Sequence, residues 1–502
     1  MEQTFRGSMN WLHTWAGVVV GGLLFAIFWM GTLSVFDHEI DRWMIPSIRL
    51  KERATPVSLD ALRDAFPPGA TQQWSILLPS TRLPAVRLGW RDEKRTRQLF
   101  LDPVTLAELP PHESLGASRF FFPFHYNLNV KIANLGVWSV GLAAMAMLAL
   151  CVSGVIIHRR VFADFFTIRS GRKSRRLVLD LHNVAGVAGL PFHIGITLSG
   201  LVIAYAIYFP SGWQVSYQGD RQAFGREVFQ AYAREPEGRP AVPASLDAIA
   251  AEARSLWNDG PPFFLRVWHP GDAASYVEFR RSYEDSVTMR LEVLYFDARS
   301  GTLLRRFETQ PIATTQRFIA GLHFLRFDHW AIRWLYFGLG LSGCLLIATG
   351  YLFWLESRRK KHAQLGLRGV TLVEGLTIAS VTGIVIATLA FFVANRLVPR
   401  GLILAGYDRA ALEVCIFYLV WLGTFAHGGL RRGEAWVMQC AAIAGLAFVA
   451  VLLNWITTGD QLVRSLGQRH LWPIAGVDIV LLTGGGFATL VAIRLRGRSV
   501  AR

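Results

Sequence analysis

Histidines are the residues best placed to do chemistry in this 502-residue chain, and two of them sit in one repeated phrase. Leu12-His13-Thr14-Trp15-Ala16-Gly17-Val18 and Leu181-His182-Asn183-Val184-Ala185-Gly186-Val187 share the pattern Leu-His-x-x-Ala-Gly-Val, each at the mouth of a long apolar run. A second matched pair is His125 in FPFHYNLNV and His323 in AGLHFLRF, each again just before an apolar run. Imidazole is the least costly ionisable group to bury in a bilayer because it can be neutral, and such a residue marks a functional site by default. A single helix-end histidine can also be an interfacial anchor or bond a carbonyl. Two at corresponding places in a repeat face a shared axis and can meet from opposite sides of one planar ligand. The planar ligand suited to opposed neutral imidazoles in a Gly/Ala-lined slot is haem b. Gly17 and Gly186 follow their histidines by one turn. There a missing side chain admits a macrocycle or, equally, close helix packing. A zinc site fits poorly, because no Cys, Asp or Glu joins the histidines in a tetrahedral set.

His193 and His158 break the pattern: Leu24 stands where a counterpart of His193 would be, and Trp354 where one of His158 would be. His193 follows His182 by eleven positions, ~16 Å along a helix, and close to three turns, which puts both on one face. Pro191 beside it frees backbone groups that must be satisfied nearby. His193, and after it His158, are further candidate ligands, with helix packing as the competing role; His329 is a weaker candidate near the outer pair.

The elements that must hold these histidines are membrane helices. Hydrophobic residues make up 52% of the chain and its mean hydropathy is +0.32. Apolar runs predict eight spans, near Leu12–Phe36, Leu135–Ile157, Val184–Phe209, Ile332–Leu355, Val370–Val393, Ala411–Phe425, Val437–Ile456 and Trp472–Ile493. The first is expected to be a retained span, since no small-residue cleavage site follows it. The formal charge of +16 does not point to nucleic acid. Its basic clusters follow spans two, four, six and eight, all on one side if the N-terminus is cytoplasmic. By this topology His13, His182 and His158 lie near the cytoplasmic face, and His125 and His323 near the outer one.

Four cysteines, Cys151, Cys344, Cys415 and Cys440, all lie in apolar runs. They offer neither a disulfide framework nor a Cys-x-x-Cys-His haem attachment site. The run GLGLSG, Gly338–Gly343, fits a dinucleotide-binding pattern but has no strand before it. No Walker sequence occurs, and no cytoplasmic segment is long enough for a flavin or nicotinamide domain. If electrons are used, their donor is a quinol or another protein.

Two polar segments, residues 38–130 and 210–330, are expected outside the membrane as two small α+β domains. Each starts with a helix-like stretch (PVSLDALRDAF, PASLDAIAAEARSLW) and ends in a strand followed by Asp and a turn (LFLDPVTLAEL, LYFDARSGTLL). The unit of span, domain, span is thus duplicated. His13 and His182 are each followed 18 positions later by glycine (Gly31, Gly200), and spans two and four end in Ser153-Gly154 and Thr349-Gly350. An even number of spans per unit makes the repeats parallel. The organisation expected is span one (1–37), domain one (38–130), spans two and three (131–209), domain two (210–330), span four (331–365) and a four-helix extension (366–502).

These phrases resemble the PepSY-associated transmembrane family, iron-regulated inner-membrane proteins that include periplasmic ferrisiderophore reductases. The resemblance rests on WLHTWAGVVVGGLLFAIFWMGTLSVF, DLHNVAGVAGLPFHIGITLSG, FPFHYNL with SGVIIHRR, LHF with TGYLFWLESRR, and the strand ends FLDPVT and YFDARSG, over about residues 1–365. It implies two PepSY-like periplasmic domains and a membrane reductase holding two haems b. Electrons would pass from the cytoplasmic side or a quinol to ferric siderophore in the periplasm. Iron leaves the chelate on reduction because Fe(II) suits hard oxygen ligands less well. The ligands implied are His13, His182, His125 and His323, with His193 in reserve. Pairing of His13 with His182 and of His125 with His323 follows from pseudo-symmetry, and pairing of His193 with an outer histidine is the alternative. Two other readings compete: a siderophore or metal transporter without redox chemistry, and a non-catalytic envelope interaction protein.

Overall fold

The computed structural model describes residues 4–51, 56–67, 72–91, 96–158, 174–228, 232–307, 309–366, 369–431 and 434–500. Most of the basic stretch expected after span two, residues 159–173, lies outside the described residues. In chain order the elements begin with α1 (Phe5–Ser34), α2 (Asp37–Met44), α3 (Leu59–Arg63), β1 (Gln73–Leu77), β2 (Val86–Arg91) and β3 (Thr96–Leu101). There follow α4 (Phe122–Asn127), α5 (Leu135–Ile157), α6 (Ser174–Ala188), α7 (Leu190–Ile203), α8 (Tyr205–Tyr208), α9 (Ser211–Ser216), α10 (Arg221–Val228) and α11 (Leu246–Leu256). Next are β4 (Pro262–Trp268), β5 (Tyr276–Arg281), β6 (Val293–Asp297), β7 (Leu303–Phe307), α12 (Pro311–Phe324) and α13 (Trp330–Gln364). The chain ends with α14 (Gly369–Ile378), α15 (Ile384–Leu397), α16 (Arg409–Leu430), α17 (Ala435–Thr458), α18 (Leu462–Gly467) and α19 (Trp472–Val500).

Among the described residues, seven helical spans are long and apolar enough to cross a bilayer, and the bent pair α6–α7 makes eight. The chain is therefore a polytopic helical membrane protein, as its apolar runs predict. Span three differs from expectation. Its two helices meet at 60° around Gly189, so His182 and His193 do not share one face of a straight helix.

The chain forms two compact units, Met1–Pro46 with Glu113–Leu198 and Trp330–Arg502, and Ser47–His112 with Ser199–His329. The second unit departs from the two separate domains expected over 38–130 and 210–330. Its strands form one seven-stranded sheet in the order β3-β2-β1-β4-β5-β6-β7. The repeats join where β1 pairs antiparallel with β4, Ser75 opposite Arg266. Alone, each half would expose an edge strand ready to pair with any other chain. Joined, they bury one core: Leu62, Ile76, Val86 and Leu88 from the first half lie with Ile249, Leu265, Phe279 and Phe296 from the second.

Sequence repetition reappears here as reciprocal bonding. Ser58 caps α3 and Ser245 caps α11 through their own hydroxyls. Each helix start is also held by the other repeat's aspartate. Asp247 accepts from the Ser58 hydroxyl at 2.6 Å and the Leu59 N–H at 2.7 Å. Asp60 accepts from the Ser245 hydroxyl at 2.5 Å and the Leu246 N–H at 2.8 Å. The aspartates that end β3 and β6 make the expected turns: Asp102 accepts from Val104 and Thr105 N–H, and Asp297 from Arg299 and Ser300 N–H.

The extension from Gly369 onward is tied to the first membrane helices by buried polar bonds. The Trp43 indole N–H donates to Asp478 at 2.7 Å, and Asn454 donates to the same carboxylate at 3.4 Å. Arg396 donates to Asn454 and to the Trp43 carbonyl, with its guanidinium over the Trp43 ring. Glu413 accepts from Ser114 at 2.5 Å and from Asn395 at 3.0 Å, and pairs with Arg409 at 3.3 Å.

Two measurements follow. Burial pushes the Asp60 carboxyl up, but bonds from Ser245, Leu246 and Asp247 together with the Arg63 charge hold it below its usual value. A lowered carboxylate stabilises the fold above the unfolded value of about 3.9, and that contribution is lost as pH falls through the folded value. Asp60→Ala should therefore cost about 1–2 kcal/mol near neutral pH, and its unfolding midpoint should converge with that of the parent in acid. Asp478→Ala, which removes the acceptor shared by the Trp43 indole and the Asn454 amide, should cost about 1–3 kcal/mol. Thermal unfolding in detergent reads both; an unchanged midpoint for Asp478→Ala refutes the clamp.

Candidate functional site

His13 on α1 and His182 on α6 come together, with ring centres 6.3 Å apart and ring planes at 84°. Each is held from behind by the next span of its own repeat. The Nδ1 of His13 lies 3.1 Å from the Leu150 carbonyl and 3.1 Å from the Ser153 hydroxyl, both on α5. The Nδ1 of His182 lies 2.9 Å from the Leu346 carbonyl and 3.4 Å from the Thr349 hydroxyl, both on α13. A carbonyl can only accept, so Nδ1 carries the proton and Nε2 is left as the basic nitrogen. The Ser153 and Thr349 hydroxyls donate to their own helices, to Ala149 and Leu345 carbonyls, and so receive from the imidazoles.

Glycine makes the close approach possible. A Cβ on Gly154 would lie 3.3 Å from Cε1 of His13, and one on Gly350 would lie 3.2 Å from Cε1 of His182. The same device recurs at the second pair. His125 on α4 places Nδ1 2.9 Å from the Ile27 carbonyl of α1, and a Cβ on Gly31 would lie 2.7 Å from its Cε1. His323 on α12 places Nδ1 3.0 Å from the Ser199 hydroxyl of α7, and a Cβ on Gly200 would lie 3.2 Å from its Cε1. His125 belongs to the first compact unit and His323 to the second.

The loop that aims His125 is itself fixed. Asp41 of α2 accepts from Ala117 N–H at 2.6 Å and Ser118 N–H at 3.1 Å. This caps the π-helical turn Ala117–Phe121 that leads into α4. Gly116 has φ of +60°, and a Cβ there would lie 2.2 Å from the Asp41 carboxylate, so no other residue fits.

The remaining candidates sit differently. His193 is fully buried. Its Nε2 is 3.3 Å from the Ser342 hydroxyl of α13, and its ring lies 6.0 Å from that of Phe28 on α1. It fills the notch of the α6–α7 bend, where a Cβ on Gly189 would lie 2.4 Å from its Cε1. His158 ends α5, its backbone N–H bonded to Gly154. Gly17 and Gly186 meet the Leu150 and Leu346 side chains, a helix-packing role.

The duplicated cradle falls within a stretch that matches a known family. Residues 10–357 match the PepSY-associated TM region. The chain belongs to the PepSY-associated transmembrane family. It is also 30% identical over 370 residues to an uncharacterized protein of Pseudomonas aeruginosa, PA4219, covering 69% of this chain and 87% of that one. All four cradled histidines, and the glycines against them, fall within the matched residues of this PepSY-associated protein; α14 to α19 lie beyond them.

Gly31, Gly200, Gly154 and Gly350 were visible as repeats in the sequence, but not as backing for histidines. Their recurrence at matched distances from His13, His182 and the two helix ends was the available signal. Gly31→Val should displace the His125 ring and cost about 1–3 kcal/mol. Gly17→Ala, whose Cβ meets only Leu150 at 3.8 Å, should be tolerated. Unfolding midpoints of the two purified variants compare them directly, and equal midpoints would contradict the cradle.

Proposed function

We propose that this protein is a haem b-binding oxidoreductase of the bacterial inner membrane that delivers electrons to ferric siderophore in the periplasm, releasing Fe(II) for uptake. Both termini would then be cytoplasmic, as the basic tails Arg358-Arg359-Lys360-Lys361 of α13 and Arg494-x-Arg496 of α19 favour. The observation that carries this reading is the His13–His182 pair.

The two imidazoles, with ring centres 6.3 Å apart, are the residues that would hold the iron of a haem b. Among the described residues neither Nε2 makes a hydrogen bond. Each imidazole thus keeps a basic Nε2 of the kind that a haem iron takes. Haem b bound there would supply a one-electron carrier.

The chain's own part is to fix these rings. The Leu150 and Leu346 carbonyls select the tautomer and raise the basicity of each ligand. Gly154 and Gly350 let the neighbouring spans close behind the rings. His125 and His323, each backed by a glycine within its own unit, are the further histidines that would serve as haem ligands. His193 is left out of this ligand set because Ser342 engages its Nε2.

A reduced-minus-oxidised spectrum of purified protein tests the proposal. A b-type α-band is expected, reduced to about half in His13→Ala or His182→Ala and to about the complementary half in His125→Ala or His323→Ala. Proteoliposomes should reduce an external ferric siderophore only when the band is intact. Absence of the band, or its survival unchanged in all four variants, overturns the reading.

A further inference from the structure

A groove of about 1840 Å³ runs along the membrane unit, between the family-matched helices and the extension. On α19 its wall extends from Trp472 to Leu495, ~35 Å of helix, close to the thickness of a bilayer's hydrocarbon core. It is therefore shaped for a long chain lying along the membrane normal. Gly476 and Gly484 help to form it, and a Cβ at either would meet nothing within 4 Å.

Charge at one end selects the occupant. Glu356, Glu374 and Glu434 line the end of the groove beside the basic tail of α13. Among the described lining residues Arg359 is the cation there, and it is paired with Glu374 at 2.9 Å. A phosphate head group would meet three carboxylates and a cation already engaged. A neutral ring bearing carbonyl or hydroxyl groups meets acceptors and an aromatic neighbour, Trp436. The same end adjoins the inner histidine. Val178 of the lining precedes His182 by one turn, and Leu352 follows Gly350 by two residues.

We propose that this groove binds an isoprenoid quinone or quinol, head toward the carboxylate-lined end and tail along α19. The extension, which lies outside the family match, would then exist to complete this site. The choice of a redox-active lipid agrees with the electron-carrier reading, while the charge argument stands without it.

The test uses the full chain in phosphatidylcholine nanodiscs and a photoreactive benzoquinone carrying an isoprenoid tail. Labelling should saturate near one per chain and map to α13, α17 or α19, and unlabelled quinone should suppress it about tenfold. Gly484→Phe and Gly476→Leu, which fill open space, should each lower labelling about tenfold while keeping the parent's unfolding midpoint and any b-type absorbance. Two variants guard against one failing to fold. Equal suppression by phosphatidylglycerol, or full labelling in both folded variants, overturns the proposal. His182→Ala separates the two ideas: it should lose haem absorbance yet retain labelling. Saturable labelling of a parent protein without b-type absorbance would sink the electron-carrier reading and leave the quinone site standing.

Discussion

The interaction on which the membrane unit depends is the bond from histidine Nδ1 to a carbonyl on the neighbouring span. At His13 and His182 it does three things at once. It satisfies a polar group that the bilayer cannot, it orients the ring, and it leaves Nε2 unprotonated. Because the acceptor is a backbone carbonyl, its position is fixed by the helix itself and no side-chain rotamer enters. Glycine at 154 and 350 then sets the spacing between spans. Ring, carbonyl and glycine form one fixture, used twice face to face.

Duplication solves different problems in the two compact units. In the membrane it supplies a second imidazole of the correct hand, so that two rings built by the same rule meet across a pseudo-axis. In the sheet it supplies an edge for an edge, β1 against β4, and an aspartate for each opposing helix start. The reciprocal Asp60 and Asp247 bonds make the halves mutually dependent, because neither helix start is satisfied by its own repeat alone. The clamp around Asp478 is the asymmetric addition: it exists once, and it anchors the extension to α2, whose Asp41 in turn fixes the turn before His125.

Much of this was legible in the sequence. Apolar runs and basic clusters gave the spans, and the doubled phrases singled out the four histidines that prove to share one kind of cradle. Periodicity could not reveal that the two polar segments complete one sheet, since strand pairing between repeats is a long-range choice that leaves no local mark. Nor could it show the buried ties of the extension. Asp478, Glu413 and Arg396 lie far apart in the sequence, and only the packing of α2, α15, α16 and α19 brings their bonds together. The straight-helix assumption failed at Gly189-Leu190-Pro191, where the bend separates His182 from His193.

That bend explains the one histidine the repeat does not. A straight third span would carry the residue at 193 along the same face as His182, as α1 carries Leu24 relative to His13. The break instead turns His193 back over Gly189 and against Ser342 and Phe28. A leucine would fill such a notch but bond nothing; a histidine fills it and also answers the Ser342 hydroxyl on α13. His13 and His182 are thus held by carbonyls through Nδ1, whereas His193 has its Nε2 engaged by a side chain. The difference lies in which nitrogen the protein claims, and it divides the paired rings of the repeat from the ring that holds a bent helix to its neighbour.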